Sequence, residues 1–372
     1  MPDEIYDVAV VGAGPAGATA AILLSQKERS VVLVDGDTFP RSTTASTWIS
    51  PKTIPLLEEI GVDTDRLPTE PFLDVTFFDA SFGKTAKPTF TVPAGYLIDR
   101  GSLDNALVEA AGAAGVTMVQ GCAVTDVRLA ESTITLTVKD HQPIDGKLLV
   151  LATGTGSPLL GRCGFPPGHG DAPLWTAQLD VPLDAGDANQ PPRVAVVLGL
   201  NRGSSFGFIC VTKDCLSLSI HWCGKPLEAV SAFVHLCKSA FEHGVAGVDL
   251  SKQAAAAKPV ISPAAAALDL DSHVGKHTLL IGSAGGFVSA AGNEGIYPAM
   301  WSAQIAARVA ESSLSSTFSQ DELMTFDSQW RMEMANYLRP PNTDSQFLLP
   351  LVFSNQAMAD RMGGAFFWGE NI

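Results

Sequence analysis

The chain has 372 residues, 46% of them hydrophobic, and a formal net charge of −15 at pH 7. That length and apolar content support a large core with two joined domains and exclude a disordered chain. The acidic balance argues against non-specific nucleic-acid binding and against a basic membrane-surface patch.

Residues 5–11 are apolar and β-branched and predict a buried strand. An Ala-rich helix over 15–27 and a second strand, Ser30-Val31-Val32-Leu33-Val34, complete a βαβ unit. A helix over 51–60 opens at Ser50-Pro51. Residues 72–93 alternate as antiparallel strands. A helix over 102–114 follows, with Ser102 as its cap and Gly115 as its stop. Residues 116–140 predict strand, turn and strand, and Leu148 to Ala152 a short buried strand. The Gly-, Pro- and Asp-rich stretch 164–195 is expected to be a passage into a second, mainly antiparallel region. Strands are expected over 193–200, 206–211 and 215–223, with Leu216, Leu218, Ile220 and Trp222 on one face and Cys215, Ser217, Ser219 and His221 on the other. A helix over 226–243, a strand Thr278 to Ile281, a Gly-rich loop and a helix over 295–312 come next. The last 50 residues are expected to be helical and irregular.

Six cysteines, at 122, 163, 210, 215, 223 and 237, form no CxxC pair and no metal-ligand spacing. This predicts reduced, mostly buried thiols in a cytoplasmic protein without a metal. No secretory pattern and no run of 18 apolar residues is present, so no membrane span is expected. The short apolar tail Phe347 to Phe353 is expected to pack on the core.

Gly12-Ala13-Gly14-Pro15-Ala16-Gly17 is a GxGxxG placed between strand and helix. Gly12 permits the tight turn, Gly14 lets backbone approach a pyrophosphate, and Gly17 lets the helix lie close to the sheet. The helix N-terminus presents free N–H groups to phosphate. Asp35 ends the next strand, where a carboxylate suits the ribose hydroxyls of an adenosine. This pattern points to a dinucleotide and leaves FAD and NAD open.

Further motifs extend the likeness. Phe39-Pro40-Arg41 is similar to an FPR segment, and Ile49-Ser50-Pro51 to an LSP segment. Gly95 to Leu107, with Asp99-Arg100 and Leu103-Asp104, resembles an arginine-containing segment that approaches FAD. Ile281 to Ala303 is similar to GDAAGFVSP..GEGI..A. Together they resemble the FAD-dependent oxidoreductase superfamily of aromatic hydroxylases, geranylgeranyl reductases and flavin-dependent halogenases. The resemblance implies an α/β fold: a Rossmann-like FAD-binding domain (1–70, 95–165 and 270–315), a mixed, largely antiparallel substrate domain (71–94 and 166–269), and a C-terminal segment 316–372. It implies FAD as cofactor, held by Gly12, Gly14, Pro15, Ala16, Gly17, Asp35, Arg41, Ala45, Arg100, Val124, Gly154, Ser283, Gly295 and Ile296. N–H groups at the start of the 295–312 helix are expected to face the flavin pyrimidine edge.

Departures from the pattern bear on function. Ser283 stands where an Asp usually contacts the ribityl chain, and Thr153 where the hydroxylases have Asp. The Ala-Thr-Gly at 152–154 resembles halogenases, which take reduced flavin from a separate reductase. The reductant is therefore left open between NAD(P)H and a flavin reductase. Ser205 to Cys210 lacks the halogenases' paired tryptophans, and Ala45 replaces the reductases' cysteine. The resemblance favours a monooxygenase that hydroxylates an electron-rich, aromatic substrate through a flavin C4a-hydroperoxide. The alternatives are an alkene reductase and a maturation factor that oxidises a side chain, such as tryptophan, of a partner polypeptide. No catalytic residue is assigned; Glu294 and His221 are the weak candidates. His273 and His277 read as surface residues, and Trp301 as core.

Overall fold

The structure, a computed structural model, describes residues 5–41, 47–166, 173–183, 191–201, 205–315, 318–340 and 345–372. In chain order, β1 (Ile5–Val11), α1 (Pro15–Ser25) and β2 (Val31–Val34) precede β3 (Trp48–Ile49) and α2 (Thr53–Glu59). Then come β4 (Thr69–Phe72), β5 (Asp74–Asp79), β6 (Thr85–Ala86), β7 (Gly95–Ile98), α3 (Arg100–Ala113), β8 (Thr117–Val119), β9 (Val124–Leu129), β10 (Ile134–Val138), β11 (Ile144–Leu151) and the single turn α4 (Leu159–Arg162). The middle of the chain forms β12 (Leu174–Pro182), β13 (Arg193–Leu198), β14 (Phe206–Val211), β15 (Cys215–Cys223), α5 (Pro226–Glu242), α6 (Ser251–Ala254) and β16 (Val260–Ser262). It ends in β17 (Val274–Gly275), β18 (Thr278–Leu280), α7 (Ile296–Leu314), α8 (Gln320–Leu338), α9 (Ser345–Val352) and α10 (Gln356–Trp368).

The first sheet runs β17-β18-β11-β1-β2-β8, with the β9–β10 hairpin attached to β11. Its centre is parallel: β1 pairs with β2 and β11, and β11 with β18. Strand period sorts the side chains. Val8 and Val10 pack on α1, α3 and α7, whereas Ala9 and Val11 pack on the hairpin's Val127, Ile134 and Leu136. The second sheet runs β16-β12-β15-β14-β13-β5-β6. One face buries Leu216, Leu218 and Ile220 under Phe233, Leu236 and Ala240 of α5. The other carries Phe206 and Phe208 against Trp48, Phe366 and Phe367. The architecture is α/β, a Rossmann-like layer joined to a mixed, mostly antiparallel sheet.

Several elements differ from expectation. β12 lies inside the Gly- and Pro-rich passage, because its nine residues pair with β15 along their whole length. β5 runs parallel to β13 and is antiparallel only to β6. Asp99, not Ser102, caps α3: its carboxylate accepts from the Ser102 N–H and hydroxyl at 2.7 and 2.8 Å. His273 and His277 are buried, not superficial. His273 Nε2 lies 2.8 Å from the Gly285 carbonyl, and the His277 ring stacks on Phe318 with centroids 4.4 Å apart. Partners distant in sequence account for both. The tail is divided: Val352 is buried, while Phe347 and Leu351 face outward. Trp301 is half-buried and packs on Tyr297 and Tyr337. No helix among the described residues is long and apolar enough to cross a membrane.

Candidate functional site

A cleft of about 270 Å³ runs from the first βα elbow to the loop that opens α7. Steric demands build the elbow. Gly12 holds φ at 101°, and a Cβ there would collide with the Ala152 carbonyl. A Cβ on Gly17 would overlap the Gly12 carbonyl, so α1 can lie this close only with glycine. Gly14 caps α1 without any side-chain hydrogen bond, leaving first-turn N–H groups free beside the cleft.

Charge collects along one wall. Asp35 accepts from the Ala13 N–H at 2.6 Å and the Asp37 N–H at 2.8 Å, and lies 3.5 Å from Arg41. Asp104, fully buried on α3, holds two guanidiniums: Arg41 through Nε at 3.2 Å and Nη2 at 3.0 Å, and Arg100 through Nη2 at 2.9 Å. Both arginines line the cleft, and Arg100 also borders a second hollow of about 530 Å³. Among the described residues, the buried hydroxyls of Thr153 and Thr155 and the Nε of Arg100 have no protein partner. Orphaned buried donors beside an uncapped helix and two cations suit a polyphosphate ligand with hydroxyls on its linker.

At the far end, Ser283, Asn293, Gly295 and Ile296 face β12, β15 and β16 across the cleft. His221 lies 3.1 Å from the Thr176 hydroxyl and 3.4 Å from Asn293 Nδ2, and Phe206 stacks on its ring with centroids 4.4 Å apart. Burial pulls its pKa down to about 4, so the ring stays neutral. The α7 end departs from expectation. Glu294 Oε1 accepts from the N–H groups of Ile296 at 2.8 Å and Tyr297 at 2.9 Å. Two of the helix's free donors are therefore taken by a carboxyl that does not itself line the cleft.

The model of a family described as an FAD binding domain matches residues 5–280. The chain belongs to this FAD-binding family. The orphaned groups of the cleft are of the kind FAD satisfies. Over 168 residues the chain is 27% identical to a menaquinone reductase of Mycobacterium tuberculosis, covering 44% of this chain and 41% of the relative. Over 174 residues it is 28% identical to a ubiquinone hydroxylase of Rhodospirillum rubrum, covering 44% of this chain and 40% of the relative. The matches thus span about two fifths of these relatives. A geranylgeranyl bacteriochlorophyll reductase-like structure from Thermoplasma acidophilum shares the fold, with a TM-score of 0.73 and 15% identity over 99% of this chain and 97% of that one.

Of the FAD-binding residues expected from sequence, Gly12, Gly14, Pro15, Ala16, Asp35, Arg41, Arg100, Gly154, Ser283, Gly295 and Ile296 line the one cleft. Gly17 serves the packing beneath it. Val124 sits on β9 against the hairpin core and does not line the cleft. Ala45 lies outside the described residues. His221 lines the cleft; Glu294 is buried behind it. Sequence reading missed Asp104 as the shared partner of two arginines, and missed the Thr155, Thr176 and Asn293 side chains. Only the alternation of β12 carried a signal for Thr176.

Proposed function

We propose that the chain is an FAD-dependent monooxygenase acting on a compact, electron-rich ring such as a phenol or hydroquinone. The observation that carries this reading is the filling of the second sheet's inner face. Trp48 lies against Phe208, Phe366 and Phe367 with centroids 6.3, 6.4 and 5.1 Å apart, and these rings occupy the apolar space a long isoprenoid chain would need. At the cleft's far end what stays open is small and polar, formed by His221, Thr176, Asn293 and Ser262, and the hollow of about 530 Å³ farther along the same sheet face is bordered largely by polar groups such as Glu70, Gln178, Asp180 and Ser217.

In this reading Gly12, Gly14 and the α1 N-terminus hold the FAD pyrophosphate, Asp35 the adenosine ribose, and Arg41 and Arg100 supply counter-charge. Thr153, Thr155 and Ser283 bond the ribityl region, while Gly295 and Ile296 border the ring. When bound, FAD supplies the redox centre through which electrons reach oxygen. The neutral His221 with Thr176 and Asn293 orients a ring hydroxyl, and the packed aromatic cluster keeps water from that end. Reducing equivalents come from NAD(P)H or from a separate flavin reductase.

The test is oxygen consumption by FAD-loaded protein given reduced flavin and a panel of phenols and hydroquinones. The expected result is uptake matched by product carrying one atom from labelled O2. Turnover that continues unchanged under anaerobic conditions sinks the reading and favours alkene reduction.

A further inference from the structure

Directly behind the Gly295 end of the cleft lies a group that the proposed reaction does not use. Glu294 is 1% exposed. Its Oε1 caps α7, and its Oε2 lies 3.4 Å from the Tyr337 hydroxyl of α8. Tyr337 in turn borders a cavity of about 20 Å³, room for one water, whose rim includes Ser289, Arg339 and Glu370. A route therefore leads from the carboxyl through a phenol to a water-sized space at the protein's rim.

The surroundings favour a carboxyl that changes charge. Burial pushes Glu294 up to about 7, against the opposing pull of the Tyr297 and Ile296 N–H bonds, the Tyr337 hydroxyl and the Arg100 charge. Lys52, just ahead of α2, sits 5.2 Å over the Tyr337 ring and donates to the Trp368 carbonyl at 2.6 Å; its own pKa is lowered by burial, with Glu370 and Glu294 opposing. Tyr297 and Tyr337 are both raised by burial and by Glu294, so each remains a neutral phenol. Together with Arg339 at the outlet, these are, among the described residues, the titratable and charged groups that face Glu294 or its outlet from α7, α8, α3, the α2 approach and the C-terminal segment.

We propose that Glu294 is a proton-coupling residue for the cofactor: it takes up a proton when FAD is reduced and releases it through Tyr337 on reoxidation. The proposal rests on the reading that the FAD ring lies at the Gly295 end. The reason is competition. One helix N-terminus stabilises one anion well, and a reduced flavin anion in front of it raises the cost of a carboxylate already bound to it. The balance is FAD plus Glu294 carboxylate plus two electrons plus two protons, giving the singly protonated reduced anion and the Glu294 carboxylic acid. The electrons come from an external low-potential donor, dithionite in the test.

The experiment is the midpoint potential of the FAD-loaded protein between pH 7 and 9, for the wild type and Glu294→Gln. In a two-electron couple, each proton taken up shifts the potential by about 30 mV per tenfold change in proton concentration. The wild type should fall by about 60 mV per pH unit and Glu294→Gln by about 30 mV. A wild-type slope of about 30 mV overturns the proposal whatever the variant does. So do equal slopes with FAD bound, which leave the cofactor reading intact. Failure to retain yellow, protein-bound FAD overturns both. Tyr337→Phe keeps the carboxyl, so it should keep the steep slope but take up protons about tenfold more slowly in a stopped-flow indicator assay. Uptake at the wild-type rate refutes the relay.

Discussion

Replacing Asp104 by Asn tests the charge arrangement of the cleft. The carboxylate is wholly buried and accepts three N–H bonds, two from Arg41 and one from Arg100, at 3.0 to 3.2 Å and 2.9 Å. Asn keeps one acceptor oxygen but turns an NH2 toward a guanidinium and removes the charge that the two cations share. Removing one member of a buried ion pair costs roughly 3–5 kcal/mol. Arg41 retains Asp35 at 3.5 Å and Asp37 at 3.1 Å, which places the cost near the lower bound, about 3 kcal/mol. At roughly 2 cal/mol/K of unfolding entropy per residue, that lowers Tm by about 4 °C for a chain of this size. The sign with cofactor is the informative part. The two phosphates of FAD carry the counter-charge that Asp104 no longer supplies, so bound FAD should recover part of the loss. Differential scanning fluorimetry of apo and FAD-loaded forms reads both quantities. An equal loss in both forms means that Arg41 and Arg100 do not face phosphate. No loss in either means that Asp104 does not hold them.

Three further outcomes follow from the same geometry. Thr153→Ala and Thr155→Ala each delete a buried hydroxyl without a partner. Each should leave apo stability unchanged or raised by about 1 kcal/mol, yet weaken FAD by about fivefold in fluorescence titration; unchanged affinity refutes their assignment. Glu294 titrates at about 7 when folded against 4.5 unfolded, so its contribution is intact below pH 4.5 and lost as pH rises through 7. Glu294→Gln should therefore match the wild type in denaturant melts at pH 4.5 and exceed it by roughly 3 kcal/mol at pH 8; a pH-independent difference refutes this. Phe366→Ala removes a 1%-exposed ring from the Trp48 cluster and should cost about 3–5 kcal/mol, with α10 becoming the first site of limited proteolysis. Wild-type protease resistance counts against α10 as a core element.

What could be read from sequence was local. The elbow depends on glycines whose need is set by atoms within a few residues, apart from the Ala152 carbonyl that crowds Gly12. The faces of β15 followed from period-two alternation. What escaped depends on long-range partners. Asp104 meets Arg41 across 63 residues, and the buried His273 finds the Gly285 carbonyl at its Nε2 and the Asp327 carboxylate at its backbone N–H. β12 was hidden because the glycines and prolines flanking it diluted its own alternation. The Glu294 cap had a sequence signal, an acid two residues before a helical N–H, but the same spacing fits a solvated loop carboxylate equally well.

The C-terminal helix shows why site and fold cannot be apportioned to separate stretches of this chain. Phe366 and Phe367 meet Trp48 of β3 and Phe72 of β4, on either side of α2 in the chain, and Phe206 from the second sheet. The same helix crowds the loop that opens α7 so closely that a Cβ on Gly292 would overlap the Phe366 carbonyl. One short element therefore removes apolar volume from the inner face of the sheet and fixes the loop carrying Asn293, Glu294 and Gly295. Size selection and the electrostatics of the α7 end then share a single packing contact. A substitution that loosens α10 should widen substrate range and disturb the proton balance of the cofactor together, because backbone at Gly292 cannot yield without moving the carboxyl two residues on.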